Sequence, residues 1–316
     1  MSFSSDTKKE LCSLKFNTKI EALLELSAIA RMNANVLVRN QGEVQLRFFS
    51  ESKEVILRVI RMIDYLYGQE PDMVTQQNEQ LKQAPVYSTI FMGKALDLFF
   101  EESGYDALGS YKQSAERILS RLKSEETART YLRGAFLGGG SVTNPIKAYH
   151  FEIVVPSSED IDLLLTILKD AEIDAKVGTR RDMPLLYIKD SEMISNILVY
   201  IGAPQAMLKL EDAKAMKDLR NDINRKVNAE TANMDKQLDA SFRQMKAIRY
   251  IAENGGLEQL PDSLIDVAHV RLEHPQANLK QLGELMEPPL SKSGVSHRLR
   301  KITSYAEDLP GRKLNK

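Results

Sequence analysis

The stretch YLRGAFLGGGSV, Tyr131–Val142, decides how the rest of the chain is read. It is a helix-compatible run closing in three glycines and a serine, which is the outline of a phosphate loop. A loop that cradles phosphate with its backbone amides needs a lysine and a hydroxyl directly after the last glycine. Val142 and Thr143 follow Ser141 instead. A dinucleotide fingerprint would need a strand ahead of the glycines, and Arg129–Leu137 reads as a helix. Gly134 and Gly138 lie four residues apart, so they share one helix face, where missing side chains let a second backbone approach. Each glycine costs a helix about 1 kcal/mol relative to alanine. Close packing against a partner helix is the compensation this spacing implies.

Sliding the chain against itself supplies the partner. At an offset of 106 residues, LELSAIARMNANVLVRNQGEVQLRFFSESKEVI (Leu24–Ile56) lies over TYLRGAFLGGGSVTNPIKAYHFEIVVPSSEDID (Thr130–Asp162). Each copy opens with a helix rich in small residues, supplied by Ser27, Ala28 and Ala30 in the first and by Gly134 and Gly138 in the second. Two strands follow, Asn35–Arg39 with Val44–Phe49 and Ser141–Lys147 with Tyr149–Val155. Polar helix starts come next at Ser50–Glu54 and Ser157–Asp160. A further hairpin closes each copy, DMVTQQNE with PVYSTIFM and DAKVGTRR with PLLYIKD. The fold class expected is α+β: a duplicated αββαββα pseudo-dimer followed by an all-α domain. The domains expected are 1–125 and 126–208 for the repeats, 209–240 for a polar helical connector, and 241–316 for a helix-turn-helix.

Composition narrows the function classes. With 316 residues, 28% charged and 43% hydrophobic, the chain can bury a core, and it lacks the roughly 18-residue apolar run of a membrane span. No secretion signal is legible at the start, and the lone Cys12 cannot form an internal disulfide, so a cytoplasmic protein is expected. Net charge is −1, but Ser241–Lys316 carries +3 and Ser291–Lys316 carries +5. The cationic character is therefore concentrated at the carboxyl end.

That end is strongly helical in pattern. SFRQMKAIRYIAEN stops at Gly255 and Gly256, PDSLIDVAHVRLEH starts at Pro261, and NLKQLGELM starts at Asn278. Asn278 and Gln281 have the spacing of a reciprocal cap, with Leu279, Leu282, Leu285 and Met286 as the inward face. After a turn at Pro288 and Pro289 comes SKSGVSHRLRKITSYAEDL, in which Val295, Leu299, Ile302 and Ala306 form a buried stripe. The other side carries Ser293, His297, Arg300 and Ser304, flanked by Lys292, Ser296, Arg298 and Lys301. Cationic side chains neutralise phosphates, short hydroxyls donate to phosphate or touch base edges, and arginine binds guanine through two hydrogen bonds. Two helices joined by a tight turn, the second basic, is helix-turn-helix geometry. Ser291, Lys292, Ser293, Ser296, His297, Arg298, Arg300 and Lys301, with Lys280 on the preceding helix, are the expected contacts to double-stranded DNA, with Arg300 as the base reader. A helical bundle with a solvated basic face is the bland alternative. Against it, the first turn carries Lys292 where the helix dipole prefers an acid.

LRGAFLGGG resembles a degenerate LAGLIDADG motif, the paired-helix signature of homing endonucleases. That resemblance implies that the penultimate motif position of each copy would bind the catalytic magnesium. Here those positions are Asn33 and Gly139, neither an anionic ligand. With NRKVNAETAN and SKSGVSHRLRKI downstream, nearly the whole chain resembles the WhiA family of bacterial DNA-binding regulators. The resemblance implies a sequence-directed transcription regulator without nuclease activity or cofactor, involved in cell division and chromosome segregation, and in sporulation in some members. It implies association with the nucleoid, with a further transcription or cell-division protein as a partner and no membrane.

Two other classes stay open on the residues alone. A nuclease with relocated ligands could draw on Asp160, Asp162, Glu152 or Asp190, although His150, His269, His274 and His297 show no metal spacing. A sensor could bind a small ligand in the cleft between the repeats.

Overall fold

The computed structural model describes residues 2–39, 43–76, 85–105 and 111–309. Contacts divide the chain into two compact units, Met1–Asp218 and Leu219–Lys316.

The first unit holds both repeats. After an amino-terminal helix, α1 (Phe3–Ser13), the first repeat runs α2 (Lys19–Asn33), β1 (Ala34–Val38), β2 (Val44–Ser50), α3 (Lys53–Tyr67), β3 (Met73–Gln76), β4 (Val86–Met92) and α4 (Lys94–Ser103). A further helix, α5 (Tyr111–Leu119), leads to the second repeat: α6 (Glu125–Gly139), β5 (Gly140–Val142), β6 (Phe151–Val154), α7 (Ser158–Asp170), β7 (Lys176–Arg180), β8 (Met183–Ile188) and α8 (Ser191–Ile201). The expected αββαββα order is present twice. Each repeat makes one antiparallel four-stranded sheet, in the orders β1-β2-β4-β3 and β5-β6-β8-β7. The strand expected over Ser141–Lys147 is shorter, because residues after Val142 turn at Asn144 before Phe151 resumes the pairing. Residues 77–84, part of the first expected hairpin, lie outside the described residues.

Helices α2 and α6 pair face to face, and their small residues decide how closely. A Cβ on Gly134 would lie 2.5 Å from the Glu25 carbonyl oxygen and 2.8 Å from the Ala28 Cβ. One on Gly138 would lie 2.9 Å from the Met32 Cβ. No side chain fits there. The glycines serve packing, as their spacing implied.

Charges also cross this buried seam. Glu25 of α2 is fully buried, is ion-paired with Arg58 of α3, and accepts a second bond from Arg58 Nη2 at 2.8 Å. Arg133 of α6 donates to the other repeat's Glu25 at 3.4 Å and to the Ile201 carbonyl at 2.8 Å. Arg31 of α2 pairs with Asp160 of α7, both side chains fully buried. Breaking one partner of such a pair leaves a buried uncompensated charge, which costs about 3–5 kcal/mol.

Helix α9 (Pro204–Glu253) crosses the boundary between the units. The connector and the first carboxyl-terminal helix, expected as separate elements, are one continuous helix of 50 residues. No glycine or proline interrupts it after Pro204. In the second unit, Ala247, Ile248 and Ile251 of α9 pack with α10 (Asp262–Glu273), α11 (Leu279–Glu284) and α12 (Lys292–Asp308) in a separate apolar core. Among the described residues, no helix is long and apolar enough to cross a membrane.

Candidate nucleic-acid interface

Helix α11 begins with the reciprocal cap expected. The Asn278 side chain accepts from the Lys280 and Gln281 amides at 3.0 Å each, and the Asn278 amide donates to the Gln281 side chain at 2.8 Å. The turn is tight because Gly283 admits the Leu290 backbone: the Leu290 amide donates to the Gly283 carbonyl at 2.9 Å, and a Cβ on Gly283 would meet the Leu290 oxygen at 2.2 Å. Ser291 then caps α12, its Oγ accepting from the Gly294 amide at 3.1 Å. Val295, Leu299, Ile302 and Ala306 are buried as the stripe required. Leu285, expected to face inward, is 47% exposed, because α11 ends at Glu284 and the next residue leaves its face.

Burying that stripe pushes the polar side outward. Lys292, Ser293, His297, Arg300 and Lys301 are exposed, and Ser296 is half-buried beside them, 3.5 Å from Arg300 Nη2. Lys280 is exposed on α11 and lies 3.7 Å from Glu284. The only acids on α12, Glu307 and Asp308, stand at its far end. Arg298 differs from the expectation of an open face: it is half-buried and donates to the Ser263 carbonyl of α10 at 3.1 Å. It braces α12 against α10, leaving Arg300 as the arginine whose position is set by the free face.

The ends of α2 and α6 hold the two motif positions. Asn33 and Gly139 are the last residues of those helices. The Asn33 amide nitrogen is spent on the Phe49 carbonyl at 2.6 Å, and a Cβ on Gly139 would lie 2.3 Å from the Val154 oxygen. A cavity of about 650 Å³ opens here, and its lining includes Asn33, Ser50, Glu51 and Lys8. Lys8 donates to the Leu137 carbonyl at 3.1 Å, and burial lowers its ammonium to about 8, with nearby Cys12 and Glu51 opposing. A cation placed by the protein itself, with no acid at either motif position, does not fit a divalent ion. Neither Lys8 nor Glu51 was legible as a site residue, since α1 approaches these helix ends only in the folded chain.

The relocated acids are otherwise engaged. Asp160 is held by Arg31 and by the Ser157 hydroxyl at 2.8 Å; burial raises its carboxyl above the usual range, with Arg31 opposing. Glu152 pairs with Arg180 and accepts from Ser141 at 3.0 Å, and His150 lies 3.1 Å away. Asp190 caps α8, while Asp162 is exposed on α7. Among the described residues, no three of His, Cys, Asp and Glu gather in a way that could hold a metal ion.

Comparison with known proteins follows the same division. Residues 19–99 match the WhiA N-terminal LAGLIDADG-like domain, 128–220 the WhiA LAGLIDADG-like domain, and 223–306 the WhiA C-terminal HTH domain. This chain belongs to the WhiA family. It is 38% identical over 309 residues to a probable cell division protein WhiA of Desulfitobacterium hafniense strain Y51, covering 98% of this chain and 96% of that one. It is 36% identical over 323 residues to a probable cell division protein WhiA of Thermoanaerobacter sp. strain X514, covering 99% and 100%. The crystal structure of full-length DUF199/WhiA from Thermotoga maritima aligns over 99% of this chain and 100% of that one, with 26% identity and a TM-score of 0.60. In this WhiA chain the helix-turn-helix supplies the exposed cationic face, and the LAGLIDADG-like unit supplies paired helices whose ends carry no acid at the two motif positions.

Proposed function

We propose that this chain is a non-enzymatic, sequence-directed DNA-binding regulator of cell division. It acts in the cytoplasm on the nucleoid, with a role extending to chromosome segregation, and to sporulation where the organism sporulates. The duplicated unit offers a surface for a further transcription or cell-division protein. The observation that carries this reading is the face of α12: its apolar stripe is buried, and Lys292, Arg300 and Lys301 are exposed over its first three turns. The relatives named as probable cell division proteins support the biological setting.

In this reading, Lys292, Ser291 and Ser293 bind phosphate at the start of α12, and Lys280 does so from α11. Ser296, His297, Arg300 and Lys301 face the major groove, and Arg298 holds the helix in place. Fluorescence anisotropy on specific and random duplexes tests it. Affinity should fall by orders of magnitude between about 50 and 200 mM salt. Arg300→Ala should relax discrimination at one base position by about 1–3 kcal/mol. Binding that ignores salt would refute it, as would magnesium-dependent, EDTA-sensitive nicking of plasmid by the purified protein.

A further inference from the structure

Arg271 of α10 is a buried charge that no ion pair accounts for among the described residues. It is 2% exposed and has no carboxylate partner among the described residues. Its Nη1 donates to the Ala277 carbonyl at 2.8 Å, and its Nε, also buried, has no hydrogen-bond partner. Burial lowers its affinity for the proton, and no neighbouring charge offsets that cost. A buried guanidinium held mainly by neutral oxygens is an expensive arrangement.

Arg271 lines a cavity of about 450 Å³, which has no acid in its lining. Asn233, Lys236 and Gln237 enter from α9, and Lys292 from the first turn of α12. Three cations, Lys236, Arg271 and Lys292, and the amides of Asn233 and Gln237 line one volume with no anion of the protein's own.

We infer that this cavity is a phosphate site, occupied by a phosphodiester of the bound duplex, so that α9 grips the DNA backbone beside the helix-turn-helix. This rests on the DNA-binding reading above and adds to it residues outside α11 and α12. Lys292 connects the two, because it lines the cavity and also stands at the start of the helix that enters the groove. A backbone phosphate carries no sequence information, so the site sets register and strength, and α12 sets specificity.

The test uses the full chain with two exposed substitutions on α9, Lys236→Gln and Gln237→Glu. Lys236→Gln should weaken specific and random duplexes equally and reduce the slope of log affinity against log salt by about 1. Gln237→Glu places a carboxylate in the cavity, so it should raise the melting temperature of the free protein while weakening every duplex by about tenfold or more. A purely structural role would move the two readouts together. Inorganic phosphate and pyrophosphate, at constant ionic strength, supply the free-anion arm through thermal shift. If they stabilise the wild type but not Gln237→Glu, and both variants bind duplex like the wild type, the site takes a free phosphate and the duplex assignment is overturned. If neither arm responds to the substitutions, there is no phosphate site. Failure of the wild type itself to bind duplex would instead refute the DNA-binding reading, a result distinguishable from normal wild-type binding with unaffected variants.

Discussion

Replacing Gly134 by alanine reverses the usual sign of a helix substitution. On propensity alone, alanine should stabilise α6 by about 1 kcal/mol. Here the new Cβ would stand 2.5 Å from the Glu25 oxygen, and real Cβ contacts essentially never fall below 3.0 Å. Helices α2 and α6 must therefore part by at least about half an ångström at a close-packed seam. The obstacle is backbone, which cannot rotate away, and the Glu25 side chain is tied to Arg58 and Arg133. Overpacking of this kind costs about 1–3 kcal/mol, occasionally more. The propensity gain offsets part of it, leaving a net loss of up to about 2 kcal/mol. Gly294 in the first turn of α12 is the control. A Cβ there meets Ser291 Oγ at 3.4 Å and Leu290 Cβ at 3.9 Å, which is ordinary contact. Gly294→Ala should stabilise the second unit by up to about 1 kcal/mol. Scanning calorimetry resolves the transition each variant moves, and urea titration supplies the free energies. If Gly134→Ala stabilises the protein as Gly294→Ala does, the close-approach account of the paired helices is wrong.

Three further outcomes follow from the first unit. Lys8 has its pKa lowered from 10.5 to about 8, so between those values the unfolded chain holds a proton the folded one has shed, and its contribution to stability rises with pH across that window. Lys8→Met should therefore stabilise the protein by about 1–2 kcal/mol at pH 7, discounted for partial exposure and the lost Leu137 bond, and flatten the pH dependence from 8 to 10.5; urea midpoints at pH 7 and 9.5 check both. Burial pushes the Cys12 thiol up to about 12, so a thiol reagent at pH 8 should label it at the rate of unfolding; fast labelling of the native protein would contradict its placement. Gly139→Asp, which restores an acid at the motif position, should cost about 3 kcal/mol and confer no magnesium-dependent nicking, measured by denaturation and plasmid assay, because the Val154 oxygen occupies the space for its Cβ.

The paired helices were legible because glycine spacing is a local signal: Gly134 and Gly138 announce a face without side chains, whatever lies opposite. The stripe Val295, Leu299, Ile302 and Ala306 was legible for the same reason, since one helix period reports one buried face. What stayed hidden depends on contacts far apart in sequence. Glu25 and Arg58, and Arg31 and Asp160, look like surface charges until the fold buries them together. Helix α1 is not legible as an amphipathic helix because its buried face runs Phe3, Thr7 and Leu11; Thr7 passes as apolar only because its hydroxyl donates to the Phe3 carbonyl at 2.9 Å. Arg298 looks like Arg300 in the sequence, and only the docking of α10, which offers the Ser263 carbonyl, sets them apart.

The repeat also explains why the two halves need one chain. Residues 106 apart are equivalents, and across the α2–α6 seam it is equivalents that meet: Gly134 faces Ala28, and Gly138 faces Met32. In a symmetric homodimer each residue would face its own copy. Glycine against glycine would leave a gap, and methionine against methionine would clash at this separation. Duplication within one chain removes that constraint, so α6 can become the helix of holes and α2 the helix of knobs. The same specialisation reaches the helix ends. Gly139 lets the Val154 carbonyl close over α6, while its equivalent Asn33 keeps a side chain and spends it on the Phe49 carbonyl. Each half thus uses the motif position to hold its own backbone, and a geometry that could focus two carboxylates serves to lock two repeats together.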